Sequence, residues 1–308
     1  MSKKTDPRYR FVRARNIFDG LDDYFKSRPI NLVNRVLEYP MDRRETNDFN
    51  KKIGDYFEFL VQGIYGGMLR EQYYPNENNL LIEPDLINIS HKNIFESKSV
   101  FAGEVLKIED FQLAKYIYLQ KVFKNKESNK YPIITYEISK HRVSKLSARF
   151  KNKPLEFFVG ECSKNILSYI SLPLSVISKI HLSEKDKNFI SRGGENWHST
   201  YTSLTSTGLN LFIAYPEEAL SRIKLNPEDY IIKKRKFPKT ITMNSKNINS
   251  FPVLIIRDKY HEKWAQKFME EEGKEYVRKI EEELLKLQRN SYEEIPSWLQ
   301  PLKNDAPF

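Results

Sequence analysis

Leu80-Leu-Ile-Glu-Pro-Asp-Leu-Ile-Asn-Ile89, the turn-prone Ser90-His-Lys-Asn93 and Ile94-Phe-Glu-Ser-Lys-Ser-Val-Phe101 together form the hairpin signal around which this chain is organised. Both outer segments are apolar, β-favouring runs, and the polar break between them suits a reversal of direction. Strand side chains alternate between faces, so Glu96 and Lys98 share one face of the second strand. Antiparallel pairing then sets Asp85, at the end of the first strand, beside them.

Outward from the hairpin, the pattern changes period. From Ile53 to Leu69 the apolar set Ile53, Phe57, Leu60, Val61, Ile64, Tyr65 and Met68 recurs at three and four residues, which predicts an amphipathic helix, loosened at its last turn by Gly66 and Gly67. Asp110 to Phe123 repeats the helical period, and Tyr131 to Ile138 reads as a strand buried on both faces. A strand, a crossover helix and a further strand in one sheet make the last pair parallel. The expected fold is therefore α/β (α+β), with a mixed central sheet flanked by helices and a C-terminal elaboration.

Three segments follow from this reading. Residues 1–52 form a basic helical arm, with Leu21, Tyr24 and Phe25, then Leu32, Val33, Val36 and Leu37, at near-helical spacing. Residues 53–182 form the catalytic core, and residues 183–308 an elaboration packed on it as one unit. Beyond residue 150 the expected elements are strands at Leu155 to Val159 and Leu209 to Ala214, helices around Ile166 to Ile180, a polar stretch over 183–207 and a strand at Phe251 to Ile256. A long charged helix from Lys259 to Arg289 carries Trp264, Phe268, Tyr276, Ile280 and Leu284 in one stripe, suited to packing on its own core or on a partner. No fixed-period repeat and no low-complexity tract interrupts the chain.

Bulk composition narrows the partners. The 308 residues are 40% hydrophobic, enough for one sizeable core, and 51 Lys and Arg against 41 Asp and Glu leave a formal charge of +10 that draws the chain to polyanions, nucleic acid first. The single cysteine, Cys162, forms no internal disulfide, the opening MSKKTDPRYR has no apolar stretch after its basic residues, and no segment is apolar enough to span a bilayer. A cytoplasmic protein without membrane contact is expected. There is no GxxxxGK[ST] loop and no GxSxG elbow, and five histidines, at 91, 141, 181, 198 and 261, lie scattered without zinc-ligand spacing.

The hairpin carries the chemistry. Two carboxylates on rigid neighbouring strands can hold Mg²⁺ and leave positions for waters and a phosphate oxygen. Such an ion polarises the phosphate and lowers the pKa of bound water. Lys98 could position or deprotonate that water, or neutralise charge developing on the phosphate.

Pro84-Asp85 followed by Glu96-Ser97-Lys98 resembles the signature of the PD-(D/E)xK nuclease superfamily, most of all a type II restriction endonuclease. The resemblance covers residues 53 to 140 and rests on motif and element order. It implies a restriction-endonuclease-like core and Mg²⁺-dependent hydrolysis of double-stranded DNA, with Mn²⁺ able to substitute. It also implies catalytic roles for Asp85, Glu96 and Lys98, joined by Glu58 on the preceding helix and Gln112 at the start of the following one. Asp85, Glu96, Ser97 and Glu58 would form the metal site. A structure-selective, transposon or defence nuclease of the same superfamily is one alternative, and a non-catalytic DNA-binding protein is another.

DNA contact falls outside the core. Arg192, Asn196, His198, Ser199, Thr200 and Tyr201 lie in a Gly-, Ser- and Thr-rich stretch whose side chains suit phosphates and base edges. The basic run Lys233, Lys234, Arg235 and Lys236, following a short strand Tyr230-Ile-Ile232, suits phosphates or a solvated turn, and the arm with Lys3, Lys4, Arg8, Arg10, Arg13 and Arg15 suits a DNA backbone or a second subunit. Cutting both antiparallel strands calls for two sites related by a two-fold axis, so a homodimer is expected.

Overall fold

The computed structural model describes residues 54, 57–58, 60–69, 84–88, 91, 93–101, 103–122, 132–141, 166–183, 186, 188–195, 199–238, 248–257, 263, 266–267, 270 and 273–293. The arm over 1–52, the strand expected at Leu155 to Val159, and Asn196, Trp197 and His198 lie outside the described residues.

The expected hairpin is present as β2 (Leu86–Asn88) and β3 (Asn93–Phe101), antiparallel with Leu86 opposite Phe95 and Ile87 opposite Ile94. Residues 57–58 and 60–65 are helical, α1, ahead of it, and the chain gives way to β1 (Met68–Leu69), which adds to the free side of β2. Gly66 and Gly67 do more than loosen the helix. Both have positive φ, and a Cβ on Gly67 would lie 2.5 Å from the Ile87 carbonyl oxygen, so the chain turns into β1 only because that side chain is missing.

After β3 come β4 (Leu106–Glu109), α2 (Asp110–Val122) and β5 (Ile133–His141), and β5 lies parallel to β3 along its whole length. β5 is buried from Ile134 to His141, as a central strand covered on both faces must be. The remaining strands of this sheet come from the second half of the chain: β6 (Ile166–Pro173), β9 (Tyr230–Lys236) and β10 (Ser250–Ile256). The order is β1-β2-β3-β5-β6-β10-β9, with β3–β5 and β6–β10 parallel and the other pairs antiparallel, so the sheet is mixed.

Helices cover both faces. Tyr65 of α1 stacks on Phe95, and Phe57 meets the His141 ring, which places α1 on the face carrying Phe95, Glu137 and His141. α2 covers the other face, burying Leu113, Tyr116 and Ile117. The same side holds α3 (Leu174–Leu182) and the long α6 (Lys274–Glu293), whose Ile280 packs against Ala114 of α2. Thus at least the described part of the charged C-terminal helix spends its stripe on its own core.

Three segments differ from expectation. Residues 166–180 split at Pro173, with strand before it and helix after it, because proline suits the position just ahead of a first helical turn. Leu209 to Ala214, expected as a strand, lies in α4 (Ser206–Ala214), where the Thr205 hydroxyl accepts the Gly208 amide at 3.1 Å and caps the helix. α5 (Pro216–Arg222) follows directly. The polar stretch 183–207 is also less irregular than expected: it contains β7 (Ile190–Gly193) and β8 (Tyr201–Leu204), which join β4 in a separate antiparallel sheet, β4-β8-β7.

Candidate active site

Extending the β2–β3 register by one residue sets Asp85 opposite Glu96, and the hydrogen bonds agree. The Ser97 amide donates to Asp85 Oδ2 at 2.7 Å. Glu96 is held from three directions: Lys98 Nζ lies 2.8 Å from Oε1, Gln112 Nε2 donates to Oε1 at 2.5 Å, and the Tyr116 hydroxyl donates to Oε2. Gln112 and Tyr116 are four residues apart on α2, hence on one helical face aimed at one carboxylate. An ionised carboxylate offers about four lone-pair positions, so Glu96 retains one while Asp85 Oδ1 meets no donor among the described residues.

Burial and charge bias this cluster. Glu96 is 2% exposed and Asp85 8%, whereas the Lys98 side chain is 24% exposed and opens the cluster to solvent. Burial holds the Asp85 carboxyl well above the usual carboxylate range, and the charges of Glu96 and Glu58 push it further than Lys98 and the Ser97 amide pull it back. Burial alone would pull the Lys98 ammonium down, but Glu96 and Asp85 outweigh it and hold the group above the ordinary lysine value. Without a cation, Asp85 is therefore biased toward holding its proton, beside a firmly protonated lysine. Hard oxygen donors of this kind suit a divalent cation, whose charge would relieve that repulsion. Among the described residues, no three or more His, Cys, Asp and Glu side chains are grouped to hold a metal; Glu58 on α1 lies near enough for its charge to raise the Asp85 carboxyl.

Comparison with known protein families, with curated proteins and with solved structures finds no match for this chain. The residues themselves carry the functional argument.

The remaining expected residues fall into different settings. Ser97 contributes its backbone, since its side chain lies on the opposite face and its Cα pairs with that of Glu137 on β5. Arg192 and Tyr201 sit across from each other's neighbours on the β7–β8 ribbon, with Arg192 exposed and its guanidinium donating to the His181 carbonyl at 2.5 Å. Ser199 and Thr200 form the approach to β8, and the Thr200 carbonyl accepts the Asp110 amide at 2.9 Å. This contact ties the ribbon to the first turn of α2, two residues from Gln112. Lys233 to Lys236 is not a turn but the second half of β9 at a sheet edge. Lys233, Lys234, Arg235 and Lys236 are all exposed there, and Arg235 also donates to the Ile64 carbonyl at 2.9 Å and lies 4.4 Å from the Tyr65 ring centre.

Two tyrosines of the site were not singled out from sequence. Tyr116 could have been found, because it follows Gln112 by one helical turn. Tyr136 on β5 pairs with Glu96 across the parallel ladder, and its fully buried hydroxyl has no hydrogen-bond partner among the described residues. Burial, then the charges of Glu96, Asp85 and Glu109, hold that phenol well above its ordinary range. A buried hydroxyl near carboxylates calls for a hydrogen-bond partner. Its sequence context, inside a strand of mostly apolar residues, resembles any core tyrosine.

Proposed function

We propose that this chain is a Mg²⁺-dependent nuclease that hydrolyses phosphodiester bonds in double-stranded DNA, of the sequence-specific restriction type. The observation that carries the reading is the convergence of Asp85, Glu96 and Lys98 on neighbouring strands, with Gln112 and Tyr116 locking Glu96 from α2. The order of helix, strands, helix and strand around them, with the last strand parallel to β3, is the one that the resemblance to PD-(D/E)xK nucleases implies.

Asp85 and Glu96 would hold the cation, and Mg²⁺ when bound supplies a Lewis acid for the phosphate and an acidified water. The chain's own groups do the rest. Lys98, protonated and partly exposed, neutralises charge that builds on the phosphate oxygens, a role its raised pKa favours over that of general base. Gln112 and Tyr116 fix the Glu96 carboxylate in one orientation, so little reorganisation accompanies binding. The Tyr136 hydroxyl is positioned to bond a water near the carboxylates. Arg192 and Tyr201, tied to the start of α2, would read bases or phosphates, and Lys233, Lys234 and Lys236 would take phosphates at the sheet edge. A two-fold homodimer would bring a second such site to the other strand.

Mn²⁺ titration followed by electron paramagnetic resonance tests the metal half of this reading. Saturable binding by the wild-type chain that is lost in Asp85→Asn and in Glu96→Gln, with both variants folded, is expected. Equal Mn²⁺ uptake by wild type and both variants would sink it.

A further inference from the structure

Lys140 lies two residues beyond Ile138 on β5, on the sheet face that carries Glu96 and Lys98. The register makes this concrete: Lys98 pairs with Ile138, and Val100 with Lys140. Its stem is covered, leaving the residue 8% exposed, and its ammonium reaches the side-chain oxygen of Asn210 on α4. Asn210 is itself exposed, so the amide that the ammonium meets borders solvent.

No carboxylate pairs with Lys140 among the described residues, and its neighbours across the ladder, Val100 and Ser168, carry no charge. Burial pulls the ammonium below the ordinary lysine range with nothing acidic to offset it. A largely covered cation without an anion is costly unless a ligand brings the missing charge. Once Asn210 Oδ1 has accepted Lys140, the Asn210 amide nitrogen and two ammonium hydrogens remain, which matches an oxyanion.

Position says which oxyanion. Two residues along a strand and one strand across put the Cα atoms of Lys98 and Lys140 roughly 8 Å apart. One DNA strand advances about 3.4 Å along the duplex axis per phosphate, so a phosphate one or two nucleotides from the bond being cut would fall within reach. Both lysines sit toward the C-terminal ends of parallel strands, the end at which open α/β sheets bind ligands.

We infer that Lys140 and Asn210 form a second phosphate site, which grips the DNA strand being cut at a phosphate flanking the scissile one. This inference rests on the nuclease reading above, and its test separates the two. The full-length chain is titrated with a short fluorescein-labelled DNA duplex in EDTA at a series of NaCl concentrations, and affinity is read by anisotropy. Lys140→Gln removes the charge. Asn210→Asp, an exposed change that spares the core, instead gives Lys140 a competing carboxylate.

Loss of one phosphate contact makes the slope of log affinity against log salt shallower by about 0.9, and that change is expected in both variants. If Lys140→Gln does not fold, the shallower slope of Asn210→Asp carries the inference by itself. Wild-type slopes in the folded variants, with duplex still bound and cut, would overturn the second site and leave the nuclease intact. A wild-type chain that neither binds nor cuts duplex DNA would overturn both.

Discussion

Asp85 Oδ2 accepts the backbone amide of Ser97 at 2.7 Å, and this bond locks the end of β2 against the middle of β3. It fixes two carboxylates, Asp85 and Glu96, on one sheet face with the intervening backbone as a rigid strut. The charges that result bear on Lys98 and on Tyr116.

Lys98 is held above the ordinary lysine value by Glu96 and Asp85, so it stays protonated throughout the physiological range. Lys98→Met is expected to slow DNA cutting by about 10²- to 10³-fold, the usual cost of a lost charge-stabilising donor, with no recovery on raising the pH. Single-turnover rates across a pH series check this. A limb near neutral pH that vanishes in Lys98→Met would instead mark the lysine as a base.

Tyr116 donates to Glu96 Oε2 from a fully buried position. Hydrogen bonds to charged groups contribute about 1.5–3 kcal/mol. Tyr116→Phe keeps the ring packing against Tyr136, so the chain is expected to fold while the Mg²⁺ concentration for half-maximal cutting rises by about tenfold, equivalent to roughly 1.4 kcal/mol. An unchanged Mg²⁺ requirement would show that Gln112 alone orients the carboxylate.

Glu137 occupies the opposite face, 1% exposed, and accepts Tyr169 at 2.7 Å, Ser171 at 2.6 Å and Tyr65 at 3.2 Å. Burial raises its carboxyl from 4.5 to about 7 despite these donors and Arg235. The folded state thus binds this proton more tightly than the unfolded state does. The resulting stabilisation is complete below the unfolded pKa and is lost as pH climbs toward 7. His141 and His181, lowered to about 3 and about 4 by burial, act in the opposite sense: they cost stability as pH falls through the range between those values and the ordinary histidine 6.5. Comparing wild type with Glu137→Gln cancels the histidines. The wild type is expected to lose on the order of 3 kcal/mol relative to Glu137→Gln between about pH 4.5 and 7. Parallel stability curves from denaturant melts would contradict the assignment.

The parts of the fold set by local period were legible in the sequence. The β2–β3 hairpin, α2 and the parallel β5 follow from alternation, helical spacing and the handed crossover, and these elements assemble Asp85, Glu96, Lys98 and Gln112. What escaped depended on distant partners. Leu209 to Ala214 is a short apolar run that periodicity alone cannot assign, and the Thr205 cap decides for helix. Lys233 to Lys236 becomes a strand only because β10 pairs with it, and β7 and β8 persist in a polar stretch because β4 supplies the third strand. Tyr136 is invisible for a related reason: its role comes from facing Glu96 across a ladder, not from its neighbours in the chain.

Incubation of the purified chain with long unmethylated plasmid or phage DNA and Mg²⁺, beside EDTA and Lys98→Ala controls, tests the active site most directly, with products resolved on a gel and their ends sequenced. Discrete fragments with a common end sequence, present only with Mg²⁺ and lost in Lys98→Ala, are expected. Intact duplex after incubation with the wild-type chain, or fragments that persist unchanged in Lys98→Ala, would contradict a nuclease centred on Asp85, Glu96 and Lys98.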